Sequence, residues 1–488
     1  MNKTLKEAIS QLNNKSLWTY FYHLTQIPRE SGNEEGIRNY LISVAKENNF
    51  EYAVDKTGNV IIKVKATKGY ENLPLLAFQG HMDMVCVKDE GVEHNFDTDP
   101  LNVVVDGDWI KAVGTTLGAD NGIAIALILD LFTDKEAVHG PLEAIITVSE
   151  ETGLEGAFGL DPTLVDSRLM VNLDSDTEGV IYIGCAGGVE TRAIFNLTKE
   201  SLKDGFNGFE LIVDGLLGGH SGAEIHKQRA NAITLNARIL DAISIVSTTY
   251  LQSIEGGTKR NVIPSYCKST IAIASNNLKE AAEAVEKLTK ELKKEYADSD
   301  PALNVSFKLV KLTNRKVISL QQSSTIIKSL FTSLHGVERM SETIEGVVET
   351  STNLASVKTG DKQIEVVASH RSSLSSMRDM VARRWCANFE LAGSKTISEN
   401  GYPAWTPNLD SHLAQLAKEI WEKEMDSSVE ITAIHAGLEC GIINSLIEGM
   451  DSISIGPNMK DIHSTLERLS ISSSERLSHF IRKFCVAL

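Results

Sequence analysis

The sequence predicts an α/β protein, a mostly parallel sheet flanked by helices, with an α+β domain inserted into it that could be two similar halves. Three observations carry this. Short apolar runs alternate with helical stretches over residues 51–185, the order expected of a sheet covered on both faces. After Gly187-Gly188 the strands change to apolar–polar alternation (TRAIFNL, FELIVDG, STIAIAS), which suits antiparallel sheet with one wet face. After Gly393 the first texture returns. The domain division is therefore 1–186, an insert over 187–394, and a second segment, 395–488, that closes back on the first.

In chain order, Leu17, Phe21 and Leu24 recur at helical spacing, as do apolar positions from Glu35 to Ala45, so two helices split by Pro28 open the chain. Arg29-Glu30-Ser31-Gly32 is then their loop. The insert carries amphipathic helices near Arg229–Ile243 and Leu278–Tyr296. From Leu303 to Ala392 the order strand, helix, strand, helix suggests a second copy of a half-domain. The turn-rich ENGYPAWTPN leads into a helix, the strand VEITAIH, another helix and the strand SISIG.

At 488 residues the chain exceeds one ordinary core. A net charge of −17 argues against nucleic acid and anionic membranes as partners. The longest apolar stretch, Ile123–Leu131, falls short of the roughly 20 residues that span a bilayer. The polar start MNKTLKEAISQ lacks a secretion signal, so a cytoplasmic protein is expected. The six cysteines show no CxxC spacing and receive no role.

Polar residues cluster where apolar runs end. The run Leu75–Phe78 leads to His81 and Asp83, AIITVS to Glu150 and Glu151, and RLMVNL to Asp174. The loop Gly114–Ala119 leads to Asp120, and Ile453–Ile455 with the Gly456-Pro457 turn leads to His463. Strand ends of open α/β sheets are where ligands bind. His81 and Asp83 share a face in an extended chain. Of the adjacent glutamates, one could bind metal and the other take a proton from water, though an acidic turn is the commoner meaning of such a pair. Asp120 is suited either to bridge two cations or merely to cap a helix. Together these five carboxylates and two histidines are enough for two metal ions and a base, and metal would offset the cost of burying them.

The segments GHMDMV, GTTLGADNGIAIA, SEETGLEGA, NLDSD, GGHSGAEIH and DIHSTLERL resemble, along the whole chain, the successive signatures of the co-catalytic dinuclear-zinc peptidases, and among them the aminoacyl-histidine (Xaa-His) dipeptidases. The resemblance implies that His81 and Asp174 bind one metal, Glu151 and His463 the other, and Asp120 both. It implies that Asp83 orients His81 and that Glu150 is the general base. It also makes the insert a lid with His220, Asn261 and Arg371 as substrate contacts, joined by Gly437 of IHAGLECG, and gives His220 a catalytic part at the oxyanion. Asp176 stands where close relatives are expected to carry glutamate.

The activity implied by this resemblance is metal-dependent hydrolysis of dipeptides, Xaa-His among them. Two divalent ions are implied, zinc first, with manganese and cobalt compatible with the same ligands. The partner is a small peptide; a homodimer through the lid and a site completed within one chain are both compatible. Two other functions fit parts of the pattern. A deacylase or carbamoylase of N-acyl amino acids would use the same dinuclear site, and a metal-dependent binding protein would have no need of Glu150.

Overall fold

The computed structural model describes residues 3–312 and 314–488. It divides into two compact units: Met1–Cys185, Trp405–Ala433 and Leu438–Leu488 form one, and Ala186–Ala404 with Ile434–Gly437 form the other.

The first unit is built on an eight-stranded sheet ordered Glu51–Val54, Val60–Val64, Leu142–Thr147, Leu76–His81, Leu169–Asn172, Asp451–Ser454, Val180–Cys185 and Glu430–Ile434. The four strands from Leu142–Thr147 to Asp451–Ser454 are mutually parallel, while Val60–Val64 and Val180–Cys185 join them antiparallel. The two central strands, Leu76–His81 and Leu142–Thr147, are buried along their whole length, as unbroken apolar runs require. Helix Ala119–Thr133 is apolar on nearly every side and buried from Ala119 to Phe132 apart from Asp120. Helix Lys15–Thr25 packs on it, burying Leu17, Trp18, Phe21 and Leu24. Asp130, a carboxylate buried on that helix, is matched by Arg482 at 2.8 Å, Asn14 at 2.8 Å and Ser478 at 3.2 Å. A buried charge left unpaired would be far more costly. The helix pair about Pro28 occurs at Lys15–Thr25 and Glu35–Glu47.

The second unit carries a nine-stranded antiparallel sheet, with helices Ala232–Val246, Leu278–Glu295, Leu320–Phe331 and Ser375–Leu391 contributing to its core. Two features differ from expectation. The strand Asn304–Val310, read as the opening of a second half, pairs with Phe206–Asp214 and so edges the sheet formed by the earlier strands. The first four residues of the segment read as turn-rich, ENGY, end a strand, Lys395–Tyr402, paired with Gly187–Asn196, so this unit runs past the expected boundary at residue 394 to Ala404. A register shift between Gly188 and Glu190 accommodates Asn400, whose φ is +54°.

Candidate metal centre and substrate contacts

The polar residues of the first unit lie where the parallel strands end. His81 is the last residue of its strand, Glu150 and Glu151 follow Leu142–Thr147, Asp174 follows Leu169–Asn172, and His463 follows Asp451–Ser454 in a loop. These are the carboxyl ends, the side on which open α/β sheets bind ligands.

The geometry resolves into two ligand sets sharing one carboxylate. His81 Nε2 lies 3.1 Å from Asp120 Oδ1 and 3.4 Å from Asp174 Oδ1. His463 Nε2 lies 3.0 Å from Asp120 Oδ2 and 3.0 Å from Glu151 Oε1. Each set, His81–Asp120–Asp174 and Asp120–Glu151–His463, brings three donor atoms within 4.8 Å of one another, as does His81–Glu150–Glu151. Asp120 thus turns a different oxygen to each set. It is no helix cap, since the cap position is Gly118 and Asp120 itself has non-helical angles. Asp174 Oδ1 is buried and, apart from His81 Nε2 at 3.4 Å, meets no hydrogen-bond donor among the described residues, a state that a cation would relieve.

Asp83 organises this cluster from behind. One of its oxygens lies 3.2 Å from His81 Nδ1 and accepts the N–H of Glu150 at 3.1 Å. The other accepts the N–H of Glu151 at 3.2 Å and the Ser31 hydroxyl at 2.7 Å. It therefore ties the histidine to the loop bearing both glutamates. Metal-binding histidines typically have their second ring nitrogen held in this way. Burial opposes the charge on Asp83, but the His81 and Ser31 hydrogen bonds and the Glu150 N–H bring its pKa down to about 2.

Electrostatics separate the other carboxyls. Burial, reinforced by the Asp174, Glu151 and Glu439 charges and only partly offset by His81, raises Glu150 well above the ordinary carboxyl range. Burial raises Asp174 to about 7 against the pull of His81. Asp120 goes the other way, because hydrogen bonds from His463 and His81 outweigh its burial. His463 is raised to about 11 by Asp120 and Glu151. So many acids driven apart in one cleft is the pattern of a reacting centre.

Three supporting residues end no apolar run, although Glu467 lies within DIHSTLERL. Glu467 accepts the backbone N–H groups of Leu117, Gly118 and Ala119 at 2.8, 3.1 and 2.8 Å, and that of Asp120 at 3.4 Å. Arg29, 2% exposed, donates to the carbonyls of Met82 and Asp83 at 3.2 and 2.9 Å and to that of Gly118. Glu34 accepts from the N–H and hydroxyl of Ser149 at 3.1 and 2.9 Å. Ser149 and His463 both have left-handed φ, +48° and +61°. Such conformations cost on the order of 1 kcal/mol or more each and persist where the surroundings enforce them.

The remaining expected residues cluster in the second unit. His220 follows Gly218 and Gly219, whose φ of +65° and +135° lie in the region that favours glycine. Its Nδ1 accepts the N–H groups of Gly222 and Ala223 at 3.3 and 3.0 Å, which leaves the proton on Nε2. Burial and the Arg371 charge lower its pKa, so the ring is neutral with one N–H to offer. The carbonyl of Asn261 accepts the Ser221 N–H at 2.9 Å, joining the two loops. A Cβ on Gly222 would sit 3.1 Å from His220 Cε1 and 3.3 Å from Arg371 Nε, so both flank that glycine. Arg371 donates to the Tyr402 phenol at 3.0 Å, and Gly437 lies against the Tyr402 ring.

The parallel-centred sheet gathers at its strand ends a doubled His/carboxylate set able to hold metal, and an antiparallel domain is inserted into the same chain. Residues 213–300 match the family model of the peptidase dimerisation domain. The chain is 38% identical to the cytosol non-specific dipeptidase of Escherichia coli over 466 residues, 95% of this chain and 96% of that one. Its fold matches the aminoacylhistidine dipeptidase of Vibrio alginolyticus with a TM-score of 0.91 and 36% identity, covering 98% of each chain. A tripeptidase from Staphylococcus aureus shares the fold alone, at a TM-score of 0.57 and 17% identity over 98% of this chain and 99% of that one. The chain belongs to the family of the cytosol non-specific dipeptidases and is a peptide-bond hydrolase.

Proposed function

We propose that the protein hydrolyses dipeptides, Xaa-His among them, with Glu150 as general base beside a pair of divalent ions. The observation that carries this is the division of Asp120 between two ligand sets, one oxygen to each, with the Glu150 carboxylate against His81 and Glu151. His81 and Asp174 would hold one ion, Glu151 and His463 the other, and Asp120 both. The His/carboxylate donor set suits zinc, and manganese or cobalt after it. Bound there, the ions supply a Lewis acid for the scissile carbonyl and acidify water toward neutral pH.

This chain's own residues do the rest. Glu150, whose carboxyl pKa is raised, takes the proton of the attacking water and passes it to the departing amine. Asp83 keeps His81 in one orientation and fixes the glutamate loop. From the inserted unit, His220 offers its Nε2 proton to the developing oxyanion. Arg371 takes the free carboxylate of the dipeptide, a contact that disfavours longer chains, and Asn261 and Gly437 complete the substrate contacts. The dimerisation-domain match supports a homodimer formed through the inserted unit. The cytosolic name of the Escherichia coli relative supports a cytoplasmic location. Among the described residues no helix is long and apolar enough to cross a membrane.

The deciding assay sets a panel of dipeptides, Ala-His included, against N-acetyl amino acids, with zinc, manganese or cobalt added to metal-stripped protein. Metal-dependent release of amino acids from dipeptides alone is the expected result. Turnover confined to N-acetyl amino acids would replace the dipeptidase reading with a deacylase.

A further inference from the structure

Tyr402 is the last residue of the strand Lys395–Tyr402 and stands opposite Gly188 in the sheet register. Its ring is hemmed in by two glycines. A Cβ on Gly188 would lie 2.5 Å from the ring, and one on Gly437 would lie 2.9 Å from it. Real Cβ atoms do not approach so closely, so both positions must lack a side chain for the ring to fit. The backbone is held as well, since Arg378 donates to the Tyr402 carbonyl at 2.5 Å. The phenol oxygen of a ring fixed on these sides accepts Nη1 of Arg371 at 3.0 Å.

That contact selects one edge of the guanidinium. With Nη1 committed to the phenol, a two-point contact falls to the edge formed by Nε and Nη2. Arg371 Nε is buried and makes no hydrogen bond to any described residue, which is costly for a cation unless a ligand supplies the acceptor. The nearby histidines offer it no negative charge. His220 is neutral, and the His435 Nε2 lies 2.7 Å from the Ser351 hydroxyl.

We infer that Tyr402 is the positioning residue of Arg371, turning its Nε–Nη2 edge to a carboxylate, and that Gly188 and Gly437 serve the site by making room for the Tyr402 ring. The inference rests on the reading of Arg371 as the contact for the dipeptide's carboxylate. It gives Gly437 a reason other than direct substrate contact. It also assigns selectivity for a free C-terminus to a pair of side chains, because a guanidinium free to rotate would accept a carboxylate less discriminately.

The test compares a dipeptide with its C-terminal amide on the metal-loaded full-length protein, using Tyr402→Phe, Gly188→Ala and Arg371→Met. Arg371→Met should raise KM for the dipeptide strongly and leave the amide untouched. Tyr402→Phe, which keeps the ring and removes only the acceptor, should raise KM for the dipeptide by about tenfold, the worth of one hydrogen bond to a charged group, with kcat little changed and the amide unaffected. Gly188→Ala, at a position with no substrate contact, should give the same split by displacing the ring. If Arg371→Met raises the dipeptide KM while Tyr402→Phe and Gly188→Ala do not, the positioning role is overturned and the carboxylate reading survives. If Arg371→Met leaves both substrates alike, both ideas fall together. A fall in kcat on both substrates with Tyr402→Phe would mark a general structural role and also overturn the inference.

Discussion

Glu467 holds Asp120 through the backbone: its carboxylate accepts the N–H groups of residues 117–120, so the Asp120 side chain can turn one oxygen to His81 and the other to His463. A glutamine there keeps one acceptor oxygen and presents an amide to groups that are all donors. Glu467→Gln should lower metal affinity by about 10–100-fold, the usual cost of losing an outer support. Metal titration of the stripped protein checks it, and unchanged affinity would reduce Glu467 to a loop anchor.

Glu150→Gln should keep both ions and lose nearly all turnover, because an amide cannot accept the water's proton. The loss expected is at least about 10²–10⁴-fold. Elemental analysis alongside kcat separates this from loss of metal; near-normal turnover would remove Glu150 from the mechanism.

Asp120→Ala should cost more bound metal than Asp174→Ala. Asp120 faces both histidines, at 3.1 and 3.0 Å, whereas Asp174 faces only His81. Equal stoichiometry in the two variants would show that Asp120 serves one ion only.

The inserted unit should lose stability in acid. His370 is buried between the hydroxyls of Thr191 and Thr352, at 2.7 and 3.0 Å, and burial lowers its pKa to about 3. Burial, with the Arg371 charge, lowers His435 to about 3 as well. The unfolded chain binds these protons below about pH 6.5 while the native state refuses them. The stabilisation is therefore complete above that pH and drains away as pH falls toward 3. Denaturant unfolding followed from pH 7 to 4 should show this slope, and His370→Gln should flatten it. A wild-type stability independent of pH over that range would refute the assignment.

The candidate ligand residues were legible as a cluster because each interrupts or ends an apolar run, and a carboxylate there is too costly to be accidental. Glu467 and Arg29 were not. They bind backbone amides and carbonyls far away in sequence, and no local pattern marks a side chain whose partners are main-chain atoms. The strand Lys395–Tyr402 was hidden by Asn400 and Gly401, turn formers that here occupy an irregular pairing. The continuity of the inserted sheet was equally invisible, since Asn304–Val310 finds its partner by pairing across the fold rather than by periodicity.

The position of Asp451–Ser454 between Leu169–Asn172 and Val180–Cys185 bears on how the protein is born. As the chain leaves the ribosome, six of the eight strands of this sheet emerge by Cys185, yet the sheet keeps a slot between Leu169–Asn172 and Val180–Cys185 until this late strand arrives. Two rows of unpaired backbone groups face that slot, the template on which sheets of different chains join. The inserted unit, by contrast, has nearly all its residues by Ala404. A nascent chain would thus carry one nearly finished body and one open sheet, so that a stop between Ala404 and Asp451 yields a sticky fragment in need of a chaperone rather than a smaller enzyme.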